Sequence, residues 1–219
     1  MKGARHVERR LEQMVEGLAA RVFRGRLHPV ELGARLVREA DLASFEGDAG
    51  PTIPNVYVFR VHPRDLGGAT VPPALRQELS DILVAEAQDR GWRLEGPSEV
   101  LIEPDDRLAP GALECHSEVR PGTMPAWAHL KELKGERRIP LRHNRVRIGR
   151  SSGMDVNISD PEVSRAHALI WREGDAVWIT DLGSSNGTFL DRSPVAEPAL
   201  VYPGSLVSFG PATFSFRPA

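Results

Sequence analysis

Three short polar segments in the C-terminal half carry the side chains best suited to binding an anion. They read IGR at 148–150, SRAH at 164–167 and DLGSSNGT at 181–188, and each stands at the end of an apolar, strand-like run. Together they supply an arginine, several hydroxyl groups, an asparagine and closely spaced backbone N–H groups, which are hydrogen-bond donors rather than an acid–base pair. This combination predicts a phosphate-binding site.

A hydrolase is the enzymatic alternative to phosphate binding. Ser164, His167 and either Asp155 or Asp181 could be combined into a Ser-His-Asp triad. However, Ser164 lacks a GxSxG elbow and a following oxyanion-hole loop, and it lies three residues from the histidine within one segment. We therefore predict that the chain has no catalytic residues and is not an enzyme.

Cys115 is the one cysteine of the chain. Cys115 and His116 do not form a thiol nucleophile and base, because adjacent residues on a strand point to opposite faces. A single cysteine cannot form an internal disulfide and is typical of a reducing compartment. The histidines and this cysteine show no metal-ligand spacing, so we predict neither a metal nor another cofactor.

The composition is that of a globular protein with a substantial core. Of 219 residues, 41% are hydrophobic and 26% are charged. The formal net charge of −2 does not favour attraction to nucleic acid or anionic lipid. No run of roughly 18 apolar residues occurs, and the first residues lack the apolar core of a signal peptide. We expect a cytoplasmic protein without direct membrane insertion.

A nucleic-acid-binding N-terminal domain is a further alternative. The basic side chains that suggest it are Arg5, Arg9, Arg10, Arg21, Arg24 and Arg26. Glutamates at 8, 12 and 16 lie between them, a pattern typical of a solvated helix face. Because no GxxG clamp, RNP-type motif or zinc knuckle is present, we predict no nucleic-acid partner.

Helical periodicity dominates the first part of the chain. We expect helices over residues 5–23, from 29 to about 44, and from 72 to a stop at Gly91, with a loop over 46–54. The expected inner face of the second helix is Val30, Gly33, Leu36, Val37 and Ala40. Leu32, Leu42 and Phe45 are candidates for exposed apolar contacts, although they could equally belong to the core.

Four strands are expected beside these helices, over residues 55–61, 92–95, 99–103 and 112–119. Together with the helices they predict an α+β domain that contains a small, largely antiparallel sheet.

From residue 127 onward, short strands alternate with turns, which is the pattern of an all-β sandwich. AWAHLKEL, RRIPLR and RVRIGR suggest a hairpin meander whose third strand ends at Gly149. Six further strand-like runs follow: MDVNIS, HALIWREG, AVWITDL, GTFL, SLVSFG and ATFSFRP. We predict an N-terminal α+β domain over 1–120, a short linker over 121–126 and a β-sandwich over 127–219.

The polar segments and their order along the strands resemble the forkhead-associated (FHA) domain, a β-sandwich that binds phosphothreonine peptides. The resemblance implies that Arg150 and Ser164 contact the phosphate. Ser151 and Arg165 are further candidates beside them, and Gly149 would support the site from the end of its strand.

In the third motif, the resemblance implies that Ser185 contacts the phosphothreonine and that Asn186 holds the peptide backbone beside it. His167 matches a histidine that braces the loops through hydrogen bonds. Gly183 and Gly187 would support the site because tight turns demand backbone angles that other side chains disfavour.

The N-terminal layout resembles the N-terminal module of bacterial FHA proteins of the FhaA type, chiefly through LHPVELGARLVREAD. The chain is thus interpreted as a non-catalytic cytosolic signalling adaptor that binds threonine-phosphorylated segments of a Ser/Thr kinase or its substrate. The N-terminal domain would be a second protein-interaction module. A phospho-independent scaffold is the alternative, but all three motifs retain competent residues.

Thr123 lies in the Pro/Gly-rich linker, where a kinase could reach it. Its phosphorylated form could engage the FHA pocket of a neighbouring molecule. A homo-oligomer is therefore a further hypothesis.

Overall fold

The computed structural model describes residues 29–66 and 71–219, which fall into two compact units. The first unit contains residues 29–45, 51–66, 71–90 and 94–122, and the second contains 46–50, 91–93 and 123–219. The domain boundaries expected at residues 120 and 127 remain predictions. The predicted helix over 5–23 and the basic residues within the first 26 lie outside the described residues.

Two helices of the first unit are confirmed. Helix α1 spans Pro29–Leu42 and helix α2 spans Pro73–Asp89, each with a proline at its first turn, where a missing backbone N–H costs nothing. The predicted inner face of α1 is buried at Gly33, Leu36 and Ala40 and half-buried at Val30 and Val37, and Leu32 also belongs to the core. Leu42 is 70% exposed, so the end of α1 does present an apolar side chain.

The first unit contains a three-stranded sheet in the order β4-β3-β5. Its strands are β3 (Val56–Val61), β4 (Glu99–Pro104) and β5 (Leu113–Glu118), and a short 3₁₀ helix spans Pro63–Leu66. The expectation of a largely antiparallel sheet is wrong. Strand β4 runs parallel to β3, because α2 connects them as a crossover helix, and only β5 is antiparallel.

Two further predictions near this sheet are wrong. Residues 92–95 form no strand, and the chain runs from the end of α2 to the start of β4 without one. The predicted loop over 46–54 instead contains β1 (Phe45–Gly47) and β2 (Gly50–Thr52), which pair as a two-stranded sheet.

The second unit is a sandwich of two sheets, as the strand pattern predicted. The six-stranded sheet has the order β13-β12-β15-β16-β6-β7, and the five-stranded sheet has the order β14-β11-β10-β8-β9. The first sheet contains β6 (Ala128–Glu132), β7 (Arg138–Leu141), β12 (Thr188–Leu190), β13 (Ser193–Pro194), β15 (Leu206–Phe209) and β16 (Ala212–Pro218). The second contains β8 (Arg145–Gly149), β9 (Val156–Asn157), β10 (Ala168–Glu173), β11 (Ala176–Asp181) and β14 (Ala199–Leu200).

The predicted three-stranded meander at the start of the sandwich is only partly correct. Strands β6 and β7 form a hairpin, but β8 belongs to the opposite sheet. Asn144, immediately before β8, exchanges hydrogen bonds with Arg172 of β10: Arg172 N donates to Asn144 O at 3.0 Å, and Asn144 Nδ2 donates to Arg172 O at 3.2 Å. These bonds join the start of β8 to β10 in the five-stranded sheet.

The core of the second unit lies between its two sheets. Alternate residues of the strands face inward, so Val146 and Ile148 of β8 meet Val207 and Phe209 of β15 within one buried apolar cluster. This packed core holds the ends of the strands in fixed positions and therefore also the loops that leave them.

Candidate functional site

The strand register brings the three polar motifs to the same end of the five-stranded sheet. Ile148 of β8 pairs with Ala168 of β10, which in turn pairs with Asp181 of β11. Because these strands are antiparallel neighbours, the loop after β8, the segment before β10 and the loop after β11 all emerge side by side. The three motifs begin at positions 148, 164 and 181 and are thus well separated in the chain, but the sheet places them next to one another.

The loop after β8 is fixed directly to the SRAH segment. Arg150 N donates to Ser164 O at 2.8 Å, and Ser151 N donates to Arg165 O at 3.1 Å. The Arg150 side chain is exposed, and its Nε donates to Val163 O at 3.1 Å. Its two terminal guanidinium nitrogens have no hydrogen-bond partner among the described residues, so they remain available to an anion.

Gly149 allows this close approach. A Cβ atom at position 149 would lie 2.2 Å from the carbonyl oxygen of Arg165, well inside van der Waals contact. Any larger residue would push the loop after β8 away from the SRAH segment. The structure therefore gives a steric reason for glycine immediately before Arg150.

The loop after β11 is attached to the same segment from the other side. Ser185 N donates to Ser164 Oγ at 3.0 Å, and Asn186 Nδ2 donates to Glu162 O at 2.8 Å. Ser185 and Asn186 are both exposed. An amide nitrogen has two hydrogens and its oxygen accepts, so Asn186 keeps one donor and one acceptor for a ligand.

Residues 162–165 thus form the centre of the candidate site. Arg150 is bonded to this segment on one side, and Ser185 and Asn186 are bonded to it on the other. Arg165 is exposed, and its side chain makes no hydrogen bond or ion pair with the described residues. The same holds for the side chain of Ser151, which is half-buried.

His167 is fully buried beneath the motifs. Ser164 N donates to its Nδ1 at 3.0 Å, so that nitrogen is unprotonated, and the proton on Nε2 is directed at Gly187 O, 3.1 Å away. Its ring also meets Phe209 edge-on, with 5.7 Å between the centroids. His167 therefore connects the SRAH segment to the loop after β11 and to the core.

The loop after β11 contains two glycines with left-handed backbones. Gly183 and Gly187 both have φ of +76°, a region that other residues rarely adopt. Between them, Ser184 directs its N–H and its hydroxyl back to the carboxylate of Asp181. The two turns leave Ser185 and Asn186 exposed at the tip of the loop.

Asn157 and Asp181 were not among the predicted site residues. Asn157 Nδ2 donates to Arg150 O at 2.9 Å and to Ser151 O at 3.1 Å, so strand β9 holds the backbone of the loop after β8. The role of Asn157 has no local signal in the sequence, because its contacts with residues 150 and 151 exist only after the loop has folded. Asp181 could have been noticed as an Asp two residues before a glycine, a common turn-forming arrangement.

The geometry does not assemble a Ser-His-Asp triad. Both ring nitrogens of His167 face backbone atoms, and Ser164 Oγ faces Ser185 N. The carboxylate of Asp155 accepts from Arg147 N at 2.7 Å. A nucleophilic hydroxyl and its base must share a hydrogen bond, but the bond between Ser164 and His167 comes from the backbone N–H of Ser164 and not from its hydroxyl.

The other nucleophile considered, Cys115, is also poorly suited to reaction. Burial raises the pKa of its thiol to about 12, with the negative charge of Glu39 adding to the effect and Arg35 opposing it. A thiol must ionise to act as a nucleophile. Within residues 29–66 and 71–219, no group of three His, Cys, Asp or Glu side chains is arranged to hold a metal ion. No helix in these ranges is both long and apolar enough to cross a membrane.

Comparison with known proteins identifies relatives of both halves. The family model for the N-terminal domain of FhaA matches residues 5–116, and the model for the FHA domain matches residues 146–210. FhaB of Mycobacterium tuberculosis (strain CDC 1551 / Oshkosh) is 36% identical over 81 residues, which are 37% of this chain and 52% of that protein. FhaA of M. tuberculosis (strain ATCC 25618 / H37Rv) is 31% identical over 122 residues, or 52% of this chain and 22% of FhaA.

One solved structure has a sequence that is 28% identical to the matching part of this chain, with a TM-score of 0.39. It comes from a structural and functional analysis of phosphothreonine-dependent FHA domain interactions. The match covers 42% of this chain and 96% of that one. The present chain spans about half the length of FhaB and less of FhaA. The family model for the N-terminal domain of FhaA covers just over half of the residues of this chain. The chain therefore belongs to the FhaA N-terminal domain family, and it carries an FHA domain after that region.

Proposed function

We propose that this protein is a non-catalytic cytosolic signalling adaptor that binds phosphothreonine-containing segments through its FHA domain. The observation that carries the proposal is the convergence of Arg150, Ser185 and Asn186 on residues 162–165. These groups are exposed, and they still have donors to offer to a ligand.

The chemistry of phosphothreonine matches this set of donors. A phosphothreonine carries between one and two negative charges at neutral pH and three strong acceptor oxygens. Arg150 would pair its free terminal nitrogens with two of these oxygens, as guanidinium groups do with phosphate. Ser164 accepts from Ser185 N through its oxygen, so its own hydroxyl hydrogen is free to donate to the phosphate.

Ser185 and Asn186 would bind the part of the ligand next to the phosphate. The hydroxyl of Ser185 is free to donate to the phosphothreonine, and the remaining amide groups of Asn186 suit a peptide backbone, which offers both a donor and an acceptor. Ser151 and Arg165 lie at the edge of the same surface and would add further donors.

The proposed partner is a threonine-phosphorylated protein, either a Ser/Thr kinase or its substrate. The N-terminal domain would provide a second contact, because Leu42 and Phe45 expose 70% and 46% of their surface near the end of α1. A single exposed apolar residue is common on protein surfaces and indicates no partner. The proposed second contact therefore requires Leu42 and Phe45 together.

A peptide array tests the proposal on the full chain. Each peptide would be presented with phosphothreonine, with phosphoserine and without phosphate at the same position. We expect the protein to retain a subset of the phosphothreonine peptides and to release their unmodified versions. Equal retention of phosphorylated and unmodified peptides would indicate a phospho-independent scaffold, and no retention of any phosphothreonine peptide would contradict the proposed function.

A further inference from the structure

Asp181, the last residue of β11, collects an unusual number of hydrogen bonds for one side chain. Its Oδ2 accepts from Gly183 N and Ser184 N, each at 2.8 Å. Its Oδ1 accepts from Ser184 Oγ and from Thr188 Oγ1, each at 2.6 Å. One carboxylate thus receives four donors from the loop that follows it.

These four donors lie on both sides of the exposed ligand-facing residues. Gly183 and Ser184 come before Ser185 and Asn186, and the buried Thr188 comes after them. Asp181 therefore ties the two ends of the loop together at its base. The carboxylate therefore fixes the backbone conformation of the segment from which Ser185 and Asn186 project.

We propose that Asp181 is a positioning residue for phosphothreonine recognition, which orders the loop carrying Ser185 and Asn186 before a ligand arrives. This inference rests on the proposed phosphothreonine-binding function. A loop that is already ordered loses little conformational entropy on binding, so its contacts contribute more fully to affinity.

The charge of Asp181 favours this explanation over a direct ligand contact. A carboxylate repels a phosphate, so it would weaken binding if it faced the ligand. Here its four acceptor positions are directed at Gly183, Ser184 and Thr188 instead. An ionised carboxylate is the side chain of this size that can accept from four donors at once.

Substitution of Asp181 tests the inference, with the best-retained phosphothreonine peptide of the array as the probe. Asp181→Ala should lower the affinity of the full chain for this peptide about tenfold, the equivalent of one hydrogen bond to a charged group. Asp181→Asn keeps an acceptor for the two backbone N–H groups, and its amide can donate to the two hydroxyl oxygens. It should therefore restore most of the affinity.

Asp191 provides a matched control in the same sandwich. Its carboxylate accepts from Leu206 N at 2.8 Å and from Ser205 Oγ at 3.1 Å, and neither partner belongs to the three motifs. Asp191→Ala should lower the thermal midpoint but leave peptide affinity unchanged below that temperature. If Asp181→Ala does not fold, Ser184→Ala replaces it, because this variant removes one donor to Asp181 and should cause a smaller loss of affinity.

The outcomes separate this inference from the proposed function. If the wild-type chain binds the peptide while Asp181→Ala, or Ser184→Ala in its place, binds as tightly as wild type, the positioning role of Asp181 is wrong and phosphothreonine binding stands. An equal loss of affinity in Asp191→Ala would also overturn it, because the loss would then reflect stability alone. If the wild type binds no phosphothreonine peptide, the proposed function itself fails.

Discussion

The backbone N–H of Ser185 donates to the side-chain oxygen of Ser164 across 3.0 Å, and this bond connects two motifs that lie 21 residues apart in the chain. Ser164 is therefore positioned by the loop that it helps to hold. Its hydroxyl hydrogen cannot point at Ser185 N, since that nitrogen is itself a donor. The hydrogen is free to turn toward a ligand.

Replacement of Ser164 should weaken phosphothreonine binding in two ways. Ser164→Ala removes the hydroxyl donor and leaves Ser185 N without its acceptor. We expect phosphopeptide affinity to fall about tenfold or more, in line with the loss of one charge-assisted hydrogen bond. Titration of a labelled phosphothreonine peptide measures the change. Ser193→Ala, at an exposed position of β13, is the control and should bind like the wild type.

Replacement of His167 should lower the free energy of unfolding of the sandwich. His167→Phe keeps a ring of similar size beside Phe209 but leaves Ser164 N without an acceptor and removes one of the two donors to Gly187 O, which still accepts from Gly210 N. Because unpaired buried polar groups are costly, we expect a loss of about 2 kcal/mol or more in the free energy of unfolding. Urea unfolding measures this, and a variant as stable as the wild type would show that the two hydrogen bonds contribute little.

Gly149 at the end of β8 and Gly153 in the loop that follows should respond differently to the same change. Gly149→Ala places a Cβ atom 2.2 Å from Arg165 O, whereas a Cβ atom at Gly153 meets nothing within 4 Å. Gly149→Ala should lower both the thermal midpoint and phosphopeptide affinity, and Gly153→Ala should change neither. Similar behaviour of the two variants would mean that the approach of Arg150 to the SRAH segment is not sterically restricted.

The contribution of Asp181 to stability should depend on pH. Partial burial acts to raise its pKa, but hydrogen bonds from Ser184, Thr188 and Gly183 outweigh that effect and lower the pKa below its ordinary value. The folded state thus favours the ionised carboxylate more than the unfolded state does. The resulting stabilisation is complete above the unfolded pKa of about 4 and is lost as the pH falls through the folded pKa.

Comparison of wild type with Asp181→Asn isolates this effect from other titrating groups. The difference between their unfolding free energies should be constant from about pH 7 to 5 and should shrink in more acidic solution. A difference that stays constant through the acidic range would show that the carboxylate is not held in its ionised form by the loop.

The sequence predicted features that depend on local patterns. Short strand-like runs separated by turn residues located the sandwich strands, and the three polar motifs identified the residues that converge on 162–165. Strand pairing was harder to predict, because such a run looks the same whichever neighbour it pairs with. Strand β8 instead pairs with β10, and the contact between Asn144 and Arg172 beside this pair joins residues that are 28 positions apart in the chain.

Two residues that support the site, Asn157 and Asp181, escaped prediction for a similar reason. Asn157 acts on the backbone of Arg150 and Ser151, and Asp181 acts on Ser184 and Thr188, and neither residue type is specific to these roles. The parallel pairing of β3 with β4 was also missed, although the helix between them is the usual connection for parallel strands.

Replacement of Arg150 tests the central claim most directly. Arg150→Ala removes the charged donor, while the backbone bond from Arg150 N to Ser164 O can still form. Arg138→Ala, at an exposed position on the edge strand β7, is the charge-matched control. We predict that Arg150→Ala no longer binds a phosphothreonine peptide at concentrations that saturate wild type and Arg138→Ala, with the same thermal midpoint in all three. Undiminished binding by Arg150→Ala would contradict the account.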